Sequence, residues 1–243
     1  MSIDQQRLAD LTDEVDQLHH ESMRTVLGKA AADRRTSRRG LLVKAGAGGA
    51  LLSLGALAGP VSQFMPAAFA KDLDDATIVA FAASYEFALA EAYQTILDSG
   101  TLTTSARKTV KAFQAHHIDH GRAVNNVIAP PAAASGGSAP TITTTEKPNA
   151  KVVDFYDAKL KAATGEKELL DVAYSMEEAA AATYLSALGL LQDQSNAELA
   201  ATILPVESQH AVVLGEALNK PVTDYMPPFQ NDLLALDPSE YPV

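Results

Sequence analysis

Two stretches of this chain repeat each other, and that duplication restricts the fold more than any other feature. Laying residue 84 onward over residue 175 onward pairs Ser84 with Ser175, Glu86 with Glu177, Ala90 with Ala181, Tyr93 with Tyr184 and Leu97 with Leu188, an offset of 91. With an offset of 90, His117-Ile118-Asp119-His120 falls on Glu207-Ser208-Gln209-His210. The repeated stretches read as helices. The first spans about 72–99, opened by an Asp-rich turn that suits the helix dipole and closed at Gly100; the second spans about 103–128, from a Thr/Ser cap to Pro130-Pro131. The third spans about 166–193 and the fourth about 196–219, ending before Pro221. Each helix pair alone leaves an apolar stripe exposed, so the two pairs must close on each other as an all-α four-helix bundle with an approximate two-fold axis. Only 6% of residues are aromatic and none is Trp, which favours closely packed helices over a β-sandwich.

Helical periodicity then separates inward from outward ionisable residues. Steps of three and four from Glu86 land on Val79, Ala82, Ala83, Ala90 and Tyr93, whereas those from Glu91 land on Gln94, Thr95 and Asp98 as well as Phe87 and Ala88. Glu86 faces the core and Glu91 faces out. Glu177 shares its face with Leu170, Ala173, Tyr174, Ala181 and Tyr184, while Glu178 lies beside Asp171 and Ser175. His117 and His120 share a face with Val110, Phe113, Val124 and Val127; Glu207 and His210 share one with Ala200, Ile203, Leu214 and Ala217. All six, Glu86, His117, His120, Glu177, Glu207 and His210, converge on one layer. His116 and Asp119 fall toward the side carrying Arg122 and Asn126, a solvated face.

Three carboxylates and three imidazoles in a core need compensation, because an unpaired buried carboxylate costs several kcal/mol or takes up a proton. A bound cation supplies it. Glu-x-x-His puts an oxygen and a nitrogen ligand one turn apart on one helix face, within reach of the same ion. The competing reading for Glu86 and Glu177 is a hydrogen bond from a tyrosine hydroxyl, with Tyr93 and Tyr184 as donors. With no cysteine in the chain, thiolate nucleophiles, Cys-ligated zinc and iron–sulfur clusters are excluded, and any metal sits among N and O ligands.

This constellation over about residues 72–219 resembles the ferritin-like di-metal carboxylate bundles. In those, one Glu from each of two helices joins a Glu-x-x-His from each of the other two. Among their members, the chain resembles exported bacterial ferritin-like and desiccation-related proteins. The resemblance implies a crossover between helices 2 and 3 running the length of the bundle, about 37 Å for a 25-residue helix. Residues 129–149, rich in Pro, Ala, Ser, Gly and Thr, are long enough for it, with a short helix over 150–163. The pattern departs from the family at His117, which stands where a Glu is usual and leaves three negative ligands instead of four. A single metal, an asymmetric pair, or zinc in place of iron all fit such a set. Pro205, two residues before Glu207, is a second irregularity.

The N-terminal part differs in charge. Residues 1–70 hold eight Lys/Arg against seven Asp/Glu, whereas residues 71–243 hold eleven against twenty-three, a net of -12. Ser37-Arg38-Arg39-Gly40-Leu41-Leu42-Val43-Lys44 precedes a mildly apolar stretch over 45–58, then Ala68-Phe69-Ala70 and an acidic run. This order resembles a twin-arginine export signal, with Leu where Phe is common, and places cleavage after Ala70. The apolar stretch is shorter than the roughly 18 to 20 residues of a spanning helix, so no permanent membrane anchor is expected. Residues 4–30 read as a helix ahead of the signal, with His19 and His20 in the part to be removed. The expected organisation is 1–70 extension and signal, 71–220 bundle, and 221–243 a Pro-rich tail along its exterior.

A net charge of -11 and the lack of any nucleic-acid-binding signature argue against nucleic-acid partners. No nucleophile elbow, phosphate loop or dinucleotide fingerprint occurs. The resemblance implies an exported protein of the periplasm or cell envelope that binds iron, one or two ions, and reacts it with oxygen or peroxide. Manganese or zinc are alternative metals, catalase-like turnover an alternative activity, and a homo-oligomer is compatible with the sequence. The contrasting reading is a non-enzymatic envelope scaffold for stress protection, with a structural ion or none.

Overall fold

A computed structural model describes residues 5–36, 73–128, 146–228 and 230–243. The Arg38-Arg39 pair, the apolar stretch 45–58, the cleavage point after Ala70 and most of the connection 129–149 lie outside the described residues. Those described form seven helices and no strand: α1 (Gln5–Thr36), α2 (Asp75–Asp98), α3 (Thr104–Ile128), α4 (Ala150–Ala162), α5 (Glu166–Leu190), α6 (Gln194–Ala217) and α7 (Val222–Tyr225). None of them is long and apolar enough to cross a membrane.

Two helical hairpins, α2/α3 and α5/α6, make the bundle, and α2 meets α5 while α3 meets α6 across its middle. In the first hairpin, Gln114 donates to the Ala90 carbonyl at 3.0 Å and Arg107 to the Leu97 carbonyl at 3.1 Å, which fixes an antiparallel register. Its turn uses Gly100, at φ 72°, a left-handed conformation that a Cβ disfavours. Asp74 caps α2 by accepting from the Thr77 amide at 2.8 Å. Asp193 caps α6 by accepting from the Ser195 and Asn196 amides at 2.9 and 3.0 Å. The neighbouring Asp75 carboxylate accepts from the Gln192 and Asp193 amides at 2.9 and 2.7 Å, tying the start of the first hairpin to the turn of the second.

Two more helices fill the grooves outside the four. α4 lies against α2 and α5, its cap Asn149 bonding through its amide N–H to the Ser84 carbonyl at 2.9 Å and through Nδ2 to the Tyr241 carbonyl at 2.9 Å. α1 lies against α3 and α6 and buries Leu8, Thr12, Val15 and His19, a stripe at spacings of four, three and four. Polar contacts fix it there. Thr12 Oγ1 lies 2.7 Å from Thr109 Oγ1, Arg7 pairs with Glu216 at 2.8 Å, and Lys108 pairs with Asp13 at 2.5 Å. α1 is therefore part of the folded body and not a separate extension.

The larger apolar cluster gathers Phe81, Leu89, Ile96, Phe113, Leu170 and Leu214, and Leu8 and Val15 of α1 join it. A smaller one gathers Val79, Ala83, Val124, Tyr184, Ala200 and Ile203. The ionisable layer makes hydrogen bonds to Tyr93 of the first cluster and Tyr184 of the second. α6 continues through Pro205 without interruption.

Candidate metal centre

Glu86 and Glu177 come from α2 and α5, and His117, His120, Glu207 and His210 from α3 and α6. Close approach of α2 and α3 brings the first three together. A Cβ on Gly121 would stand 2.9 Å from Phe87 Cζ and 3.2 Å from Glu86 Cβ, so glycine lets α3 press its histidine face against Glu86. Five of the six side chains are 0% exposed and His120 is 2% exposed. Every residue expected in the layer is in it.

The two-fold relation of the sequence reappears in the hydrogen bonds. Tyr184 donates its hydroxyl to Glu86 Oε1, and Tyr93 donates to Glu177 Oε1, so each hairpin's tyrosine serves the other hairpin's glutamate. The tyrosine reading thus holds for one oxygen of each carboxylate. The other oxygens face histidines: Glu86 Oε2 lies 2.7 Å from His117 Nδ1, and Glu177 Oε2 lies 3.1 Å from His210 Nδ1. His117 sits between the two glutamates, its Nε2 lying 3.1 Å from Glu177 Oε1.

Glu207 is different. Its Oε1 lies 2.8 Å from His120 Nδ1 and its Oε2 3.5 Å from His210 Nδ1, yet neither oxygen, nor His120 Nδ1, has the alignment of a hydrogen bond. Fully buried polar atoms so close without bonding to each other point toward a shared space, the arrangement a cation would satisfy. Two overlapping tetrads result. Glu86, His117, His120 and Glu207 form one, and His117, Glu177, Glu207 and His210 the other, with ligand atoms in each within 4.8 Å of one another. Ligand atoms about 2.0–2.2 Å from a common ion fall within such a span. Hard carboxylates mixed with imidazoles suit iron, manganese or zinc, so the residues present fit a metal.

Burial opposes charge on every one of these groups, and their mutual pairing overcomes it. Hydrogen bonds and charge from His117 and His120 hold the Glu86 carboxyl at about 2, and His117 and His210 hold Glu177 well below the usual carboxylate range. In return Glu207 and Glu86 lift His120 to about 9, Glu177 and Glu207 lift His117 well above its usual value, and Glu177 lifts His210. Burial and the adjacent carboxylates push Tyr93 and Tyr184 well up, which keeps both hydroxyls protonated as donors. The layer is a balanced set in which three imidazolium charges can offset three carboxylates, and a divalent cation must displace protons to enter.

Periodicity missed an outer ring of side chains. His116 is expected on a solvated face but is 0% exposed, because α1 covers it. Its Nδ1 lies 2.8 Å from His210 Nε2 and its Nε2 lies 3.0 Å from Asp16 Oδ1 of α1. His19, also in α1, stacks on His116 with ring centroids 3.8 Å apart. Asp119 stays part-exposed, 3.6 Å from His19 Nε2. Burial and the surrounding histidines drive His116 below its ordinary range and His19 down to about 3, so the outer ring is neutral where the inner one is charged. The buried stripe Leu8-Thr12-Val15-His19 was the available signal that α1 docks.

The family model described as "Ferritin-like domain" matches residues 74–220, more than half of the chain. No curated protein and no solved structure matches.

Proposed function

The chain belongs to the ferritin-like domain family, and from that footing we propose that its core binds iron, as one ion or an asymmetric pair, for oxidation by oxygen or peroxide. The observation that carries this is Glu207, whose two fully buried carboxylate oxygens lack hydrogen bonds while facing His120 and His210. Glu86 and His120 would hold an ion at one end of the layer, Glu177 and His210 at the other, with Glu207 shared. His117 breaks the symmetry: a neutral imidazole has one lone pair, so it can serve only one of the two positions as a ligand.

Iron held there supplies one-electron chemistry toward oxygen or peroxide. The protein's part is to exclude water with the two flanking apolar clusters and to orient the ligands. The Tyr93 and Tyr184 hydroxyls pin one oxygen of each terminal glutamate, and the second, bonded to His117 or His210 in the metal-free layer, can turn toward an ion once that histidine loses its proton. Manganese with peroxide turnover, and zinc, are variants that the donor set also accommodates.

The basic run and Ala68-Phe69-Ala70 support export into the periplasm or cell envelope by a twin-arginine route. That route carries folded proteins, so the core could be loaded in the cytosol. A second reading, a non-enzymatic envelope scaffold, is favoured by the fact that Glu86 and Glu177 already find tyrosine and histidine partners. Elemental analysis of the purified full chain, followed by assays of ferrous oxidation and peroxide loss, separates the two. Iron retained by the wild type but lost on Glu86→Gln and Glu177→Gln supports the first. No metal and unchanged stability in those variants overturns it, and one tightly held zinc without turnover favours the scaffold.

A further inference from the structure

α1 contributes a carboxylate that reaches the core through two rings. Asp16 Oδ1 lies 3.0 Å from His116 Nε2, and His116 Nδ1 lies 2.8 Å from His210 Nε2. His210 Nδ1 in turn faces Glu177 Oε2 at 3.1 Å and Glu207 Oε2 at 3.5 Å. Stacking keeps the rings in this plane: His19 covers His116 at 3.8 Å, and Phe113 covers His210 at 3.9 Å.

Counting protons along this line gives it a direction. An ionised carboxylate only accepts, so the proton between Asp16 and His116 sits on His116 Nε2. A neutral imidazole carries one proton, which leaves His116 Nδ1 as a bare acceptor, and the proton between the two rings must then sit on His210 Nε2. In the metal-free layer His210 Nδ1 also carries a proton, donated to Glu177 Oε2; once an entering cation displaces it, Nε2 keeps its proton and Nδ1 presents its lone pair inside the carboxylate layer. We propose that Asp16 and His116 are positioning residues for the core, holding His210 in the tautomer whose Nδ1 can bind a divalent cation. The inference rests on the metal reading above and makes the N-terminal helix a working part of the centre.

The same count decides against a rival use of these side chains. Asp16, His20 and His116 could themselves surround an ion. That ion would need the lone pair of His116 Nε2, which would move the His116 proton to Nδ1 and take the proton from His210 Nε2. His210 would then carry its proton on Nδ1 and be lost to the core. The outer set and the loaded core are mutually exclusive.

The test uses the full chain with ring nitrogens labelled by 15N and zinc as the probe. Long-range 15N–1H correlation spectra report which nitrogen of each histidine holds a proton, and competition against a chromogenic chelator reports zinc affinity. Expected are a protonated Nε2 and bare Nδ1 on His116 with and without zinc, and, in the loaded protein, a protonated Nε2 with a metal-shifted Nδ1 on His210. Asp16→Ala and His116→Leu should weaken zinc about 10–100-fold, the range typical of partners that orient a metal-bound histidine. His116→Gln, whose amide oxygen can still accept from His210 Nε2, should recover most of that loss, which a purely space-filling role does not predict. Asp16 is part-exposed, so its variant keeps the fold even if His116→Leu does not. A proton on His116 Nδ1, or zinc bound as tightly without Asp16 and His116 as with them, overturns the inference alone. A wild-type chain that takes up no zinc or iron overturns the metal reading itself.

Discussion

The two hairpins started from one pattern, and four of the matched positions at which they now differ bear on the centre. α2/α3 carries His117 where α5/α6 carries Glu207. The first is bonded to both terminal glutamates, and the second has no hydrogen bond on either oxygen. α3 also carries His116 where α6 carries Val206, so at this level of the bundle the first hairpin alone sends a polar side chain outward to α1, and what it supports is the second hairpin's His210. Finally, Phe87 opposite Gly121 becomes Glu178 opposite Ala211. Duplication kept the geometry of the cage while its hydrogen bonding became asymmetric: both terminal glutamates are hydrogen-bonded, and the oxygens of Glu207 are not.

Erasing the first difference should have the largest effect. His117→Glu restores the symmetric motif and removes the cation between Glu86 and Glu177, leaving four buried carboxylates. The metal-free variant should lose about 3–5 kcal/mol in chemical denaturation, the usual cost of stripping the partner from buried charges. Two equivalents of a divalent metal should restore it, against fewer in the wild type, as read by elemental analysis.

The next test compares metal-free and loaded protein across pH. Glu86 is lowered from 4.5 to about 2, so its contribution is present above 4.5 and disappears as pH falls toward 2. His120 is raised from 6.5 to about 9, so its contribution is complete below 6.5 and disappears as pH rises toward 9. The metal-free bundle should melt highest between about pH 4.5 and 6.5. In the loaded protein the ligating histidines are neutral imidazoles that have given up their second proton, and the alkaline decline should vanish in thermal melts with zinc.

A smaller effect tests what the hairpins still share. Tyr93→Phe and Tyr184→Phe each remove a donor to a buried carboxylate and should cost about 1.5–3 kcal/mol, equal within error, by urea denaturation. Unequal losses would show that the terminal glutamates are not equivalent. The smallest effect concerns the helix contacts. Gly121→Ala should cost about 1–3 kcal/mol by pressing on Phe87 and Glu86, whereas Ala211→Gly in the other hairpin should cost only about 1 kcal/mol of helix propensity.

Much of this was legible in the sequence because the bundle's interior obeys one rule: apolar residues recur at helical spacing and the exceptions are the ionisable residues of the buried layer. Glu86 and Glu177 announced themselves as charges on apolar faces, and the repeat confirmed their level. The same rule hid His116. Its surroundings in α3 are polar because its partner, α1, meets it with Thr12, Asp16 and His19 instead of a greasy stripe, and a polar contact between two helices has no hydrophobic period. The helix was legible in residues 4–30 and its stripe Leu8-Thr12-Val15-His19 carried a signal for docking, but a neighbouring signal-like run suggests a segment destined for removal. If cleavage does follow Ala70, it takes Asp16 and His19 with it, and export would strip the outer support from His210.

The central claim is that the buried layer holds a cation between Glu207 and the histidines of α3 and α6. Anomalous diffraction at the iron edge, from crystals grown or soaked with ferrous ion, reads this directly. The account predicts a peak bonded to Glu207 together with Glu86 and His120, or Glu177 and His210. An iron-soaked crystal with anomalous peaks only at the surface and His117 still bridging the two glutamates would contradict it.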